Sequence, residues 1–170
     1  MPISIEALRS ASSSARFMKS ARTLAEARSL GLQTVFLCHS HHDADAAQGL
    51  MAMFSEEGWH VYVDWQDAAM PEKPTRETAQ RIQQKIRELY YFIFLATRNS
   101  VASRWCPWEI GFADSAKPTD SILIIPTIDR TGDWYGNEYL QLYRNIDWAA
   151  NGRLGVWYPG QDHGVLLTTL

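Results

Sequence analysis

Two stretches constrain this chain more than any others: YYFIFLA (90–96) and SILIIPT (121–127). Each is a short run that is apolar on both alternating faces, so a strand built from it must be covered above and below. Such strands belong inside a parallel sheet, and parallel neighbours need a crossover between them, usually a helix. The rest of the chain supplies the pieces. TVFLCH (34–39), HVYVDW (60–65) and LGVWYP (154–159) read as further strands. Asp43 stands where a helix cap belongs, ahead of Ala47, Leu50, Met51 and Phe54 at helical spacing, with Gly58 as the stop. Thr75 precedes Ala79, Ile82, Ile86 and Leu89 in the same pattern. A further helix is expected at about 104–116, with Pro107 tolerable only in its first turn. GNEYLQLYRNI (136–146) reads as a short helix. The expected fold is α/β and flavodoxin-like: a central parallel five-stranded sheet, order 2-1-3-4-5, with helices on both faces and right-handed crossovers.

Residues 1–33 stand apart. SSSARFMKSARTLAEARSLG places Phe17, Met18, Ala21, Leu24, Ala25 and Arg28 at helical spacing, and Gly31 reads as a stop. The segment holds five cations, Arg9, Arg16, Lys19, Arg22 and Arg28, against Glu6 and Glu26. It reads as a helical extension packed on the domain or on a partner; its Arg- and Ser-rich composition leaves a transit peptide as one alternative, and disorder is the other. Residues 34–160 then form the main domain and 161–170 a tail.

An open parallel sheet binds ligands beyond the carboxyl ends of its strands, where strand order reverses. In this order the reversal lies between the first and third strands. That nominates CHSHHD (38–43) and TRNSVASRW (97–105), with the loop after Asp64 folding over the same crevice. A flavin phosphate loop is not supported, because HSHHD has no glycine, and a phospho-acceptor aspartate is missing where Ala96 and Thr97 end the third strand. No GxxxxGK[ST] occurs. CHSHHDAD invites a zinc reading, but side chains in a strand and turn diverge and no second ligand cluster completes a tetrahedral site, so no metal is expected. The formal charge of -3 argues against a nucleic-acid partner. No apolar run approaches the ~20 residues of a membrane span. Two cysteines far apart in sequence, Cys38 and Cys106, read as free thiols of a reducing, cytoplasmic compartment.

FLCHSHHDAD (36–45), GWHVYVDWQDAAMP (58–71) and SRWCPWEIGFA (103–113) together resemble a Toll/interleukin-1 receptor (TIR) domain of the bacterial type. The resemblance covers about residues 34–160. It implies NAD as substrate, cleaved between nicotinamide and ribose, with the glutamate of Trp-x-x-x-Glu essential; here that pattern is Trp105 to Glu109. It also implies a product that is ADP-ribose, a cyclic isomer or a conjugate, and signalling in antiphage defence through a separate effector. Self-association of TIR domains, through the Pro71–Pro74 loop, is a further implication.

The chemistry suits a single carboxylate. The leaving group is a pyridinium that departs from the ribose as neutral nicotinamide, so no general acid is needed, and a fixed anion beside the ribose stabilises the positive charge that develops there. Glu109 is the candidate. Trp105, at i-4 on the same helix face, offers a flat wall, and Trp65 a second plane. Asp64 either binds ribose hydroxyls or caps its loop. Ser103 either caps the helix or touches ligand. His39, Ser40 and His41 stand where a phosphate would approach, although His41 and His42 also suit an exposed turn. The competing readings are Trp105 and Trp108 in the core with Glu109 solvated, a non-catalytic interaction module, and an enzyme like a nucleoside deoxyribosyltransferase with glutamate as nucleophile.

Overall fold

A computed structural model describes residues 2–14, 23–71, 74–136 and 138–170. The first half of the chain runs β1 (Ile3–Ser4), α1 (Ile5–Ser14), α2 (Leu24–Ser29), β2 (Gln33–Cys38), α3 (Ala44–Glu56), β3 (Trp59–Tyr62), α4 (Arg76–Glu88) and β4 (Tyr91–Ala96). The second half runs α5 (Arg98–Val101), α6 (Cys106–Ala116), β5 (Ile122–Ile128), β6 (Trp134–Tyr135), β7 (Arg144–Trp148), β8 (Leu154–Trp157) and β9 (Gly164–Leu166).

The sheet order is β3-β2-β4-β5-β7-β8-β9, and the pairs from β3 through β7 are parallel. The four leading strands therefore have the expected 2-1-3-4 order. The fifth parallel place is taken by β7 and not by residues 154–159; the latter form β8, antiparallel to β7, and β9 extends the same edge. The short helix expected over 136–146 is not formed, and its last three residues instead begin β7. Only Glu138–Leu142 turns, as a short 3-10 helix. The strand that follows, Arg-Asn-Ile-Asp-Trp, carries too many polar residues to announce itself.

The strands at the centre are buried on both faces, and their side chains alternate between two cores. Val35, Leu37, Ile93, Leu95, Leu123 and Ile125 face one way and meet Leu8 of α1 and Ala47, Leu50 and Phe54 of α3. Phe36, Cys38, Phe92, Phe94, Ile122 and Ile124 face the other way and meet Ile82 and Ile86 of α4 and Ile110 and Ala113 of α6. The helix caps are mixed. Thr75 makes a reciprocal capping box with Thr78. Asp43 makes no cap bond to α3, because its carboxylate is engaged elsewhere.

The N-terminal segment is built into the domain. β1 pairs in parallel with the end of β5, Ile3 opposite Thr127. Ile3, Ile5 and Leu8 are buried. α1 runs so close to α3 that a Cβ on Gly49 would lie 1.7 Å from the carbonyl oxygen of Leu8. Arg9–Asp45 and Arg130–Glu6 ion pairs flank this contact. Of the helical face expected in 1–33, Phe17, Met18 and Ala21 lie outside the described residues. Within α2 the buried residue is Ala27; Ala25 and Arg28 are exposed, and Arg28 donates to the Glu88 carbonyl. At the other end, Leu167 is buried, and Gln33 Nε2 donates to the carbonyl of Leu170 at 3.0 Å. No helix among the described residues is long and apolar enough to cross a membrane.

Candidate active site

The carboxyl ends of β2, β3 and β4 and the first turns of α6 surround a cleft of about 420 Å³. Its position follows from topology: β2 is flanked by β3 and β4, so the chain leaves in opposite directions on either side and the loops part.

Each wall has a local cause. After β2 the chain turns through a 3-10 helix, His41–Asp43, started by Ser40, whose hydroxyl accepts from the His42 amide at 3.3 Å. After β3 a second 3-10 turn, Asp64–Gln66, is held by Asp64 Oδ1 accepting from the Trp65 amide at 2.9 Å. After β4, Thr97 and Ser100 form a capping box that starts α5. Ser103 Oγ accepts from the amides of Trp105 and Cys106, at 3.1 and 3.3 Å, and Pro107 occupies the first turn of α6.

Of the two carboxylates that line this cleft, Glu109 and Asp64, Glu109 is the buried one. It is 6% exposed, yet it lines the cavity. The solvated-helix alternative is thus overturned. Burial pushes its pKa up to about 7; the nearby Cys38 thiol, whose S–H points at the Cys106 carbonyl, pulls it down, and the negative charge of Asp64 pushes it up again. Cys38 and Cys106 are both buried and unpaired, and burial holds the Cys38 thiol protonated.

Trp105 and Glu109, one helical turn apart, both line the cleft. Trp108 does not line it. It meets Trp105 edge-on, 5.5 Å between centroids, and is 36% exposed on the outer side, where it stacks on Phe112. His39, Ser40, His41, Asp64 and Ser103 also line the cavity, so the structure brings together all but one of the residues nominated from sequence. The exception is Trp65. Its ring packs against the core beneath α3 and 5.8 Å from the His39 ring, so it backs the wall instead of forming it. A tryptophan beginning a turn turns inward when an apolar surface lies behind it.

His39 is 8% exposed. Its Nδ1 lies 3.1 Å from the carbonyl oxygen of Leu37. Burial lowers its pKa, so the ring is neutral near pH 7. The exposed His41 approaches Asp64 Oδ2 at 4.0 Å.

Two features escaped the sequence reading. Asp43, 1% exposed, accepts from Thr97 Oγ1 at 2.6 Å and from Asn99 Nδ2 at 2.7 Å. One carboxylate therefore clamps the loop after β2 to the loop after β4. Asn99, aligned by that clamp, lines the cleft, as do Pro74, Thr78 and Ile82 from the approach to α4 and its first turns. Asp43 was recognisable as a polar residue ahead of a helix. That its partners lie more than fifty residues away was not. No three His, Cys, Asp or Glu side chains among the described residues are grouped to hold a metal ion.

Comparison with known proteins agrees with this architecture. One similar protein, from Bacillus cereus (strain MSX-D12), bears the name "Probable 3' cyclic ADP-D-ribose synthase ThsB'"; it is 34% identical over 111 residues, which are 64% of this chain. The match spans 58% of the length of that relative. The family model for the TIR domain matches residues 35–153, a span that begins in β2, takes in every wall of the cleft and ends at the threshold of β8. The chain belongs to the TIR domain family.

Proposed function

We propose that this chain cleaves NAD at the bond between nicotinamide and ribose, with Glu109 as the essential acid. The observation that carries this reading is the carboxylate of Glu109, buried on the wall of a cleft at the switch point of a TIR sheet, with Asp64 the second carboxylate along that wall. The fold alone would not carry it, since one fold hosts many functions. The name of the Bacillus cereus relative, a cyclic ADP-ribose synthase, supports the same class of reaction.

Nicotinamide departs with the bonding pair on its ring nitrogen, losing the positive charge of the pyridinium, so the protein need not protonate it. Positive charge passes to the ribose. An anion held in a water-poor cleft stabilises that charge far more than one in bulk water. Burial raises the Glu109 pKa in the free protein; the cationic pyridinium of bound NAD favours ionisation and lowers it again. Trp105 supplies a flat face beside the reacting end, and Asp64 an acceptor for ribose hydroxyls. A hydroxyl of the same molecule, water or another acceptor then captures the ribose, which gives a cyclic isomer, ADP-ribose or a conjugate. We assign the cyclic product as the signal to a separate effector in antiphage defence, made by a cytoplasmic protein that works when TIR domains assemble. Residues 34–160 are the TIR unit in this reading, and the flanking segments complete its sheet and cores.

The test is release of free nicotinamide from NAD at high protein concentration, with mass analysis of the other product. Glu109→Gln should lower the rate at least about a hundredfold, in the range seen when one electrostatic stabiliser is removed. Equal, negligible release from both proteins would instead favour an interaction module. A variant as active as the parent would remove Glu109 from its role.

A further inference from the structure

Four buried polar side-chain atoms among the described residues lack a hydrogen-bond partner: His39 Nε2, Trp65 Nε1, Arg144 Nε and Asn145 Oδ1. Only the first belongs to a residue that lines the cleft. Its chemistry is determined by its other nitrogen. The carbonyl oxygen of Leu37, 3.1 Å from Nδ1, can only accept, so Nδ1 carries the proton and Nε2 carries a lone pair. The Trp65 N–H, on a ring 5.8 Å away and inclined at 58°, does not reach that lone pair. Burial disfavours the imidazolium, which keeps Nε2 an acceptor; the Leu37 carbonyl and the charges of Asp64 and Asp43 oppose this, and His41 reinforces it. A buried acceptor without a donor is costly, and because His39 lines the cleft while its Nε2 is closed to water, a small turn of the ring on ligand binding would bring that lone pair to a donor on the ligand.

The surroundings say what kind of donor. The carboxylates of Glu109 and Asp64 accept, and Asn99 turns its Nδ2 onto Asp43, which leaves its carbonyl oxygen for the cavity. Acceptors crowding one wall repel a phosphate and welcome hydroxyls. For His39 this points to a hydroxyl and away from the phosphate expected there. We propose that His39 Nε2 accepts a hydrogen bond from a ribose hydroxyl of the substrate and makes the cleft select ribose over deoxyribose. This deepens the proposed NAD cleavage and rests on it, while the histidine geometry stands apart from it.

The experiment pairs two variants with substrate analogues. His39→Phe keeps a flat ring and deletes the acceptor; His39→Gln returns an acceptor at similar reach. Nicotinamide release is measured on NAD and on the four dinucleotides lacking one ribose hydroxyl each, with thermal melts to confirm folding. For one analogue the wild type should lose at least tenfold in kcat/KM relative to NAD. His39→Phe should lose a similar factor on NAD and nothing more on that analogue, and His39→Gln should recover part of the loss. Equal losses for wild type and His39→Phe on every analogue would overturn the assignment, as would a fully active His39→Phe. If the wild-type protein releases no nicotinamide, the proposed function fails. The histidine is then judged by its ring-nitrogen NMR resonances with ADP-ribose added. A shift of Nε2 with Nδ1 still protonated supports the assignment. An unmoved Nε2, or a protonated Nε2 in the free protein at neutral pH, overturns it.

Discussion

Glu109 shows how a site residue is bound to stability as well as chemistry. Its carboxyl titrates near pH 7 in the folded protein, against an ordinary value of 4.5. The folded state therefore binds the proton more tightly than the unfolded chain, and stability falls as pH rises from about 4.5 to 7. Above that window the ionised, buried acid costs about 3 kcal/mol by the same linkage. Glu109→Gln should then melt higher than the parent at pH 8, with the difference shrinking towards zero at pH 4.5; a pH series of thermal melts checks it. The same titration appears in turnover. If the anion is the working form, kcat/KM should climb through about pH 7 to a plateau, and kcat should reach its plateau at lower pH because bound pyridinium favours ionisation. On the proposed mechanism, the acid that destabilises the empty cleft is the one that stabilises charge in the filled one.

At the scale of elements, the contact of α1 with α3 depends on one missing side chain. Gly49 lets the helices approach until the Leu8 carbonyl occupies the place of a Cβ. Because the obstacle is backbone, no rotamer change relieves it. Gly49→Ala should cost at least about 2 kcal/mol, as overpacking does, and should loosen residues 2–14. Chemical denaturation gives the energy, and amide exchange of α1 locates the loss. Unchanged stability would mean that α1 does not sit on α3 in solution. The start of α6 works in the opposite sense. Ser103 and Pro107 set where the helix begins, and that placement brings Trp105 and Glu109 to one wall of the cleft.

For the molecule as a whole, the cleft is shaped by loops from distant parts of the chain. Asp43 joins them: its two oxygens take donors from Thr97 and Asn99. Asp43→Ala leaves those donors buried with fewer partners, at a cost of about 2 kcal/mol, and frees the Asn99 amide. The expected result is a lower melting temperature together with a raised KM for NAD, while the Glu109 titration in the pH–rate profile stays in place. A variant that melts lower with unaltered KM would make Asp43 a scaffold residue only.

The parts of this protein legible from sequence are those where local chemistry and burial agree. The runs at 34–39, 90–96 and 121–127 are apolar on both faces, and only a doubly covered parallel sheet satisfies them. Trp105 to Glu109 falls on one helix face by spacing alone. What the sequence could not determine depends on partners remote along the chain. Residues 144–148 are too polar to read as a strand, and become one because β5 presents an open edge on one side and β8 on the other. Trp65 looked like a wall and became a backing because the core lies behind its turn. Asp43 looked like a cap and became a clamp because the fold brings Thr97 and Asn99 to it. Periodicity and spacing report which face of an element is buried; only the folded chain decides what each polar group finds there.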